Sequence, residues 1–477
     1  MPRITDDFHS LADVGWYGSA YLLTSCAFQL IFGRIYTFYS PKWIFLAAIG
    51  LFEIGSAICG AAPNSTAFVV GRAIAGLGSA GIFSGAIIII VHTVPLRKRP
   101  IYQGFVGATF GIASVAGPLL GGAFTQKVSW RWCFLVNLPI GAVTILILVF
   151  ILKLPSPKNA GTPVQQQIAQ LDPLGTLCFL PGIVSLLLAL QGGGSTYAWN
   201  DRRIIALFVL FVVLIMAFVA IQLWKKETAT VPPRIIKQRS IASGVCFSTC
   251  VGASLMLLVY YLPIWFQAIK GVSAVRSGIM NIPMVLSLVV SSIIAGGLIT
   301  ATGYYTPFMI ASSILMSIGA GLITTFERDT GHAKWIGYQT LYGLGVGLGM
   351  QQAGMAAQTV LSKQDIPTGT ALMFFAQSLG GALFISVGQN VFTSRLVSGL
   401  ATVSGLDPII VVTTGATDLR NVVAPEDLGS VLSAYNNALT NTYDVALAVS
   451  CFSIVGALAM EWKSVKGQRH GHGAKSA

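Results

Sequence analysis

Long apolar stretches alternate with short polar segments along the whole chain. A helix that crosses a bilayer needs about 20 mainly apolar residues. The pattern therefore predicts thirteen membrane-spanning helices. Their expected ranges are 14–33, 43–62, 67–92, 101–124, 132–153, 173–191, 203–224, 241–266, 276–300, 306–326, 335–361, 367–395 and 441–462.

The polar segments between these helices divide the chain into bundles and connections. We expect an N-terminal helical bundle at 1–153, a cytosolic linker at 154–172, two extra central helices at 173–224, a basic cytosolic connection at 225–240, a C-terminal bundle at 241–462 with a long outer loop at 396–440, and a cytosolic tail at 463–477. Segment 339–345 repeats the glycine spacing of segment 72–78. This repeat indicates two related halves.

Composition places the chain in the membrane class. It is 54% hydrophobic and 9% charged, whereas soluble domains have about 25% charged residues. Such a chain cannot bury its apolar side chains in a soluble core, so we expect an integral membrane protein surrounded by the lipid bilayer. The seven cysteines all lie in apolar stretches, which is ordinary buried usage and not a disulfide framework.

The basic charge of the chain indicates its orientation. The net charge of +13 is spread over short loops, which fits membrane orientation better than nucleic-acid binding. If the loop at 34–42 is cytosolic, Lys and Arg are more frequent on the cytosolic side, and the possible glycan acceptor Asn64 lies outside. A cytosolic tail after thirteen helices then puts Met1 outside, so we expect a chain that lacks the first helix of its bundle.

Two charged residues at membrane depth are candidates for function. A charge at the centre of a membrane helix costs about 2.5–3.5 kcal/mol on insertion scales, so Arg72 needs an internal partner or a water-filled cavity. It either bonds backbone carbonyls and fixes packing, or it lies beside a transport pathway. Glu53 lies within another predicted span, where burial favours the neutral carboxyl. It is either a proton carrier or a hydrogen-bonded structural acid.

A cluster of helix-weakening residues occurs at 117–122, within the predicted span 101–124. In a soluble helix an interior proline costs about 3 kcal/mol and a glycine about 1 kcal/mol. Membrane helices tolerate them because neighbouring helices satisfy the freed backbone groups and glycines allow close approach. Gly117, Pro118, Gly121 and Gly122 therefore predict a helix that bends and packs tightly.

These segments resemble motifs of the major facilitator superfamily, in particular its fourteen-helix drug–proton antiporter branch. Segment 33–36 with Lys42 resembles the loop motif after the second helix, although Thr37 replaces its acid and Ser40 replaces a glycine. Segment 72–78 resembles the fourth-helix motif. Gly104, Gly117-Pro118 and Gly121-Gly122 resemble the fifth-helix antiporter motif, with Ala113 replacing a glycine. Segments 2–8, 52–56 and 129–132 are similar to fungal mycotoxin and multidrug exporters.

The resemblance implies an all-α membrane fold of two pseudo-symmetric bundles plus two central extra helices. It also implies alternating access to a central cavity. It implies a monomer that exports hydrophobic organic compounds in exchange for protons, with Glu53 as proton carrier and Arg72 as its modulator. Gating and helix packing would fall to Gly33, Lys42, Gly76, Gly104, Gly117, Pro118, Gly121 and Gly122. The plasma membrane is the expected location, with the vacuolar membrane as an alternative. A proton-coupled nutrient uptake symporter and a truncated paralogue that does not transport are the competing hypotheses.

Polar and aromatic side chains at membrane depth are candidates for the substrate cavity, because such cavities combine apolar walls with few polar groups. For each residue, a helix–helix hydrogen bond or packing against lipid is the competing interpretation. The candidates are Tyr21, Gln29, Gln103, Asn137, Gln351, Gln352, Phe374 and Gln377.

Enzyme motifs find no support in the sequence. Segment 76–81 fits the dinucleotide fingerprint GxGxxG, but it lies in an apolar helix with no preceding strand. The sequence contains no Walker loop, HExxH or G-x-S-x-G motif. We therefore expect no enzyme activity, no metal and no cofactor, with the proton gradient as the energy source.

Overall fold

The structure is a computed structural model that describes residues 14–154, 171–194, 197–401 and 425–466, together with Ile4, Asp7, Phe8, Pro163 and Val423. In this part of the chain the regular elements are helices, with two isolated β-bridges. Most of the expected linker at 154–172, the middle of the expected loop at 396–440 and most of the tail lie outside the described residues.

The helices follow one another in the predicted order. The first group is α1 (Val14–Phe38), α2 (Pro41–Ala61), α3 (Ser65–Thr93), α4 (Arg99–Lys127), α5 (Trp132–Leu135) and α6 (Asn137–Ile151). The second is a hairpin of α7 (Pro173–Gly192) and α8 (Arg202–Lys225). The third is α9 (Pro233–Ile236), α10 (Arg239–Ala268), α11 (Ala274–Met280), α12 (Ile282–Thr302), α13 (Thr306–Thr324), α14 (His332–Gly349), α15 (Gln352–Val360), α16 (Ile366–Leu400) and α17 (Leu428–Ala459).

Local sequence signals account for several helix ends. Pro41 and Pro173 occupy the first turns of α2 and α7, where a missing N–H costs nothing. Asn64 caps α3, since its side-chain oxygen accepts a hydrogen bond of 2.9 Å from Ala67 N. Gly303 ends α12 in the left-handed conformation, with φ 93°.

The thirteen predicted spans coincide with helices or with pairs of consecutive helices. Among the described residues, ten helical segments are long and apolar enough to cross a membrane. The three other predicted spans correspond to α1, α4 and α14. Three spans are divided: Val136 separates α5 from α6, Asn281 separates α11 from α12, and a turn at Met350 and Gln351 separates α14 from α15.

The last helix differs most from its predicted range. It begins at Leu428 rather than 441, and α16 extends to Leu400, so segment 396–440 is helical at both ends and is not a loop throughout. Polar side chains lower the hydropathy of this helical turn. Asn436 is buried, accepts a hydrogen bond of 2.8 Å from Trp265 Nε1 and donates one of 2.9 Å to Phe326 O.

Each bundle has its own internal helix packing. In the first group α2 and α1 both pack against α3, while α10 packs against α16 and α17 in the third. The largest hydrophobic core belongs to the third group and includes the fully buried Trp265 and Tyr261. The hairpin lies beside α1 and α16, and α8 is largely exposed on its apolar surface.

Candidate functional site

The two bundles meet along two helix pairs, α1 with α16 and α4 with α12. Glycines set the distance in both pairs. A Cβ added at Gly33 would lie 2.6 Å from Ala371 Cβ, and one added at Gly104 would lie 2.7 Å from Ser292 O. These distances leave no space for a side chain, so glycine permits the close approach of the helices.

The same end of the molecule holds further contacts between bundles. A Cβ at Gly296 would lie 2.5 Å from Pro100 O and 2.9 Å from Ile101 Cα. The rings of Phe83 and Phe374 lie 6.4 Å apart between α3 and α16. The bundles are therefore closed against each other at the end that carries the connections at 39–40, 94–98 and 361–365.

Tight packing at Gly117 was predicted and is not found. Among the described residues, a Cβ added at Gly117 would meet no heavy atom within 4 Å. The positions of α4 that face α12 are Gly104, Gly107 and Gly111, and helical periodicity turns Gly117 roughly a third of a turn away from them. The helix is continuous through position 118, whose side chain lies outside the described residues.

The remaining packing candidates have separate neighbours. Gly121 and Gly122 have looser surroundings, since their added Cβ atoms would lie 4.0 Å from Cys133 Sγ and 3.5 Å from Val275 Cγ2. Gly76 lies against the backbone of α1.

Lys42 joins the start of α2 to the end of α6. Its Nζ donates a hydrogen bond of 2.7 Å to Val149 O. A cation at a helix C-terminus is favoured by the exposed carbonyl groups there.

Arg72 lies about two turns into α3, partly buried between helices. Its Nε donates a hydrogen bond of 2.8 Å to Tyr17 O, and its guanidinium carbon lies 4.5 Å from the ring centre of Tyr21. A backbone carbonyl and an aromatic face thus stabilise the charge. This contact to a carbonyl is the packing role considered for Arg72.

Glu53 fits into a notch in α6. A Cβ added at Gly141 would overlap the Glu53 carboxylate. The Glu53 side chain therefore fits in this position only because residue 141 has no side chain. In the described residues, Glu53 Oε2 is inaccessible to solvent and has no hydrogen-bond partner. No ion pair or hydrogen bond joins Glu53 to Arg72 within this part of the chain. The structure therefore does not bring these two candidates together.

Several cavity candidates are engaged in hydrogen bonds between or within helices. Tyr21 bonds Ser79 at 2.6 Å, Gln29 bonds Ser84 at 2.7 Å, Asn137 bonds Ser56 at 3.2 Å, and Gln352 bonds Leu348 O at 3.0 Å. For these four residues the competing interpretation of helix-to-helix or local bonding describes the observed contacts.

The other cavity candidates lie near the contact between bundles. Gln103 is buried, and its Oε1 has no partner in the described residues. Gln351 is buried close to Gly107 of α4, and Phe374 lies beside Phe83. Gln377 places its backbone against Gly252 of α10.

The sequence reasoning missed a buried carboxylate at the start of α7. Asp172 is fully buried and accepts hydrogen bonds from Gly175 N at 3.0 Å, Gln222 Nε2 at 2.7 Å and Thr230 Oγ1 at 2.9 Å. Lys225 Nζ lies 3.0 Å from its Oδ1. Burial raises the pKa of Asp172, but these donors outweigh burial, and the pKa lies below its ordinary value. Charges directly beside predicted spans were the signal available in the sequence.

A second missed contact joins the basic connection to the C-terminal bundle. Arg234 bonds both oxygens of Asp365, at 2.7 and 2.8 Å, and also bonds Glu227 at 2.6 Å. Asp365 immediately precedes α16, the helix that Gly33 contacts. The connection is therefore tied to a helix at the closed contact between bundles.

Comparison with known proteins agrees with this architecture. The chain is 60% identical over 471 residues to "MFS-type efflux pump MFS1" of Trichophyton rubrum, covering 98% of this chain and 88% of that protein. It is 53% identical to "Efflux pump aflT" of Aspergillus parasiticus, with coverages of 98% and 92%. It is 52% identical to "Rubrofusarin-specific efflux pump aurT" of Gibberella zeae, with coverages of 99% and 87%.

Solved structures show the same fold at low identity. The proton:xylose symporter XylE bound to 6-bromo-6-deoxy-D-glucose has a TM-score of 0.57 and 14% identity, with coverages of 98% and 93%. The human organic anion transporter MFSD10 has a TM-score of 0.54 and 12% identity, with coverages of 91% and 83%. The family description "Major Facilitator Superfamily" matches residues 1–385. The chain is thus a multi-pass membrane protein of the transporter type, and it belongs to the Major Facilitator Superfamily.

Proposed function

We propose that this protein exports hydrophobic organic compounds in exchange for protons, by alternating access between its two bundles. The observation that carries the proposal is the closed contact between bundles at Gly33 and Gly104. Each contact joins helices of separately packed bundles, so it can open when the bundles rotate as units. An exporter needs a closure of this kind that opens once in each cycle.

The direction of transport rests on the relatives. Three relatives that are 52–60% identical are named as efflux pumps, and one of them is named as specific for rubrofusarin. We infer outward transport of toxins, drugs or secondary metabolites for this chain. A cavity with apolar walls and few amide groups suits such uncharged molecules.

Proton coupling rests on Glu53. Its Oε2 is inaccessible and has no partner within the described residues, an arrangement that favours a protonated carboxyl at this site. Access of water to this carboxyl in only one of the two arrangements of the bundles would release the proton there. Arg72 lies on the neighbouring helix α3, where it stabilises the arrangement of α1 and α3 through Tyr17 and Tyr21.

A flux measurement tests direction and coupling together. Inside-out plasma-membrane vesicles from a host expressing the protein are given an acidic lumen and a fluorescent hydrophobic compound outside. A proton antiporter accumulates the compound in the lumen, and a protonophore abolishes the accumulation. Equal accumulation with and without the pH gradient would contradict proton coupling.

The same vesicles separate the competing functions. An uptake symporter would carry the compound out of an acidic lumen together with protons, so a preloaded compound would leave faster than from control vesicles. A non-transporting paralogue would give no flux in either direction. We further propose the plasma membrane as the site of export, and a fluorescent fusion found only at the vacuolar membrane would overturn that proposal.

A further inference from the structure

Six charged side chains, three basic and three acidic, form a group where α1 packs against α16. Within the described residues, three ion pairs join five of them, and the sixth, an arginine, interacts electrostatically with four of these five. We refer to this group as the charge cluster. Its members are Arg34, Asp172, Lys225, Glu227, Arg234 and Asp365.

The charge cluster draws on three parts of the chain that pack separately. Arg34 belongs to α1 of the first group, and Asp365 immediately precedes α16 of the third group. The other four members belong to the hairpin and to the connection after it, and the hairpin lies beside both α1 and α16. A rotation of one bundle against the other therefore changes distances within the cluster.

Arg34 is the most deeply buried cation of the charge cluster. The residue is 6% exposed, whereas the side chains of Lys225 and Arg234 are 17% and 48% exposed. Burying a charge is costly unless opposite charges compensate for the lost hydration. The carboxylates of Asp172 and Asp365 supply this compensation, one from the hairpin and the other from the third group. The charge of Arg34 is thus stabilised by two parts of the chain outside its own bundle.

The two carboxylates do not depend on Arg34 in the same way. Asp172 has Lys225 at 3.0 Å, and Asp365 has Arg234 at 2.7 Å. If α1 moved away, each carboxylate would keep this cation, while Arg34 would lose its attraction to Asp365. The closed arrangement is therefore the one that satisfies the charge of Arg34.

The neighbouring polar residue of α1 does not supply a charge at this contact. Thr37, which replaces the acid of the resembled loop motif, donates a hydrogen bond of 3.0 Å to Gly33 O within its own helix. Arg34 is the residue next to Gly33, at the point where α1 approaches α16 most closely. An electrostatic attraction across this contact therefore involves Arg34.

We propose that Arg34 is a positioning residue that holds the bundles in their closed arrangement, through its attraction to Asp172 and Asp365. Opening of this end withdraws α1 from α16, so that Arg34 separates from Asp365 and is hydrated by the entering water. The hairpin and its connection thereby take part in the closure. This inference rests on the alternating access of the proposed function, but not on the substrate, the direction of transport or proton coupling.

The test measures opening directly, on the purified full chain in lipid nanodiscs. Thr368→Cys is the reporter, since Thr368 is buried beside Gly33 and its Oγ1 has no partner in the described residues. Reaction of the new thiol with a soluble maleimide is followed by mass spectrometry of the peptide that carries residue 368, which separates it from the native cysteines. Arg34→Gln should raise the reaction rate roughly fivefold, because the closed arrangement loses an attraction. Arg34→Lys keeps the charge and should react close to the rate of the parent.

Controls separate this role from a general effect of charge. Arg97→Gln removes an exposed arginine from the connection between α3 and α4 and should leave the rate unchanged. Asp365→Asn should raise the rate, and its combination with Arg34→Gln should raise it by less than the product of the two factors, since both changes remove the same attraction. Factors that multiply would show that the two residues act independently and would overturn the proposal.

An equal rate in Arg34→Gln and its parent would also overturn the proposal. If Arg34→Gln does not fold, Asp365→Asn gives the same reading with Arg34 in place, and an unchanged rate there has the same consequence. A raised rate in Arg34→Gln, together with vesicles of the wild type that show no flux, would uphold this role for Arg34 and reject the proposed export.

Discussion

Arg234 donates two parallel hydrogen bonds to Asp365, from Nη1 to Oδ2 at 2.7 Å and from Nη2 to Oδ1 at 2.8 Å. The pair fastens the connection after the extra hairpin to the start of α16. Burial raises the pKa of Asp365, but the bonds from Arg234 and Ser362 outweigh burial and leave the pKa below its ordinary value. The carboxylate is therefore charged at neutral pH.

Asp365→Asn should destabilise the protein by about 1 kcal/mol at neutral pH, a discounted figure because Arg234 is half exposed and solvent screens the pair. A lowered pKa in the folded protein gives stability that is complete above about pH 4 and is lost as pH falls further. Thermal unfolding from pH 3 to 8 should show the difference from wild type shrinking below pH 4. Glu227→Gln removes the more exposed partner of Arg234 and should change little. A difference at pH 3 that is as large as the difference at pH 7 would contradict this account.

Adjacent glycines of α12 offer a matched test of the contact between bundles. An added Cβ at Gly296 would lie 2.5 Å from Pro100 O, whereas at Gly297 it would meet no atom of the described residues within 4 Å. The added methyl group of Gly296→Ala should destabilise the closed contact by about 1.4 kcal/mol, which corresponds to a tenfold change in an equilibrium constant. We therefore expect export to fall roughly tenfold. Gly297→Ala should export as wild type. Equal export by both variants, at equal expression, would remove this contact from the cycle.

Glu53 can be tested directly and through its notch. Glu53→Gln should remove the dependence of export on the pH gradient while the protein still inserts. Gly141→Ala should reproduce that defect, since its new methyl group would displace the carboxyl. Gly50→Ala is the control, because Gly50 lies on the same helix as Glu53 and an added Cβ there would meet no described atom within 4 Å. If export by Glu53→Gln still depends on the pH gradient, Glu53 is not the proton carrier and its role is structural.

Arg72 should tolerate lysine poorly. Lysine keeps the charge but loses the planar contact with Tyr21 and the Nε bond to Tyr17 O. We expect Arg72→Lys to retain part of the export activity and Arg72→Ala to lose it, with equal amounts of both in the membrane. Resistance of host cells to an exported toxin measures the effect. Full resistance with Arg72→Ala would exclude a role in transport.

The helices were predictable because an apolar run long enough to span a bilayer has few other structures available. The same reasoning placed Arg72 and Glu53 inside spans. It failed where polar residues continue a helix, as at Asn436 in the first turns of α17. There, tertiary hydrogen bonds compensate for the low hydropathy.

The candidate site was less predictable, because it depends on the rotation of each helix. The sequence could not show that Gly104 faces α12 while Gly117 points away. Nor could it show that Arg72 and Glu53 lack a direct contact, since motif spacing says nothing about side-chain direction between helices. The bonds from Gln222 and Thr230 to Asp172 join residues far apart in sequence, so only the folded chain reveals them.

In the part of the chain that the structure describes, the hydrogen-bond and ion-pair partners of Asp172 belong to the hairpin and the few residues after it. Swinging the large halves of the protein past each other need not disturb any of these bonds. In the proposed rotation of the bundles the carboxylate therefore keeps these partners, and Arg34 of α1, which interacts with Asp172 electrostatically, is the charge whose position relative to Asp172 can change. The hairpin of α7 and α8 can therefore stay intact while the two bundles move.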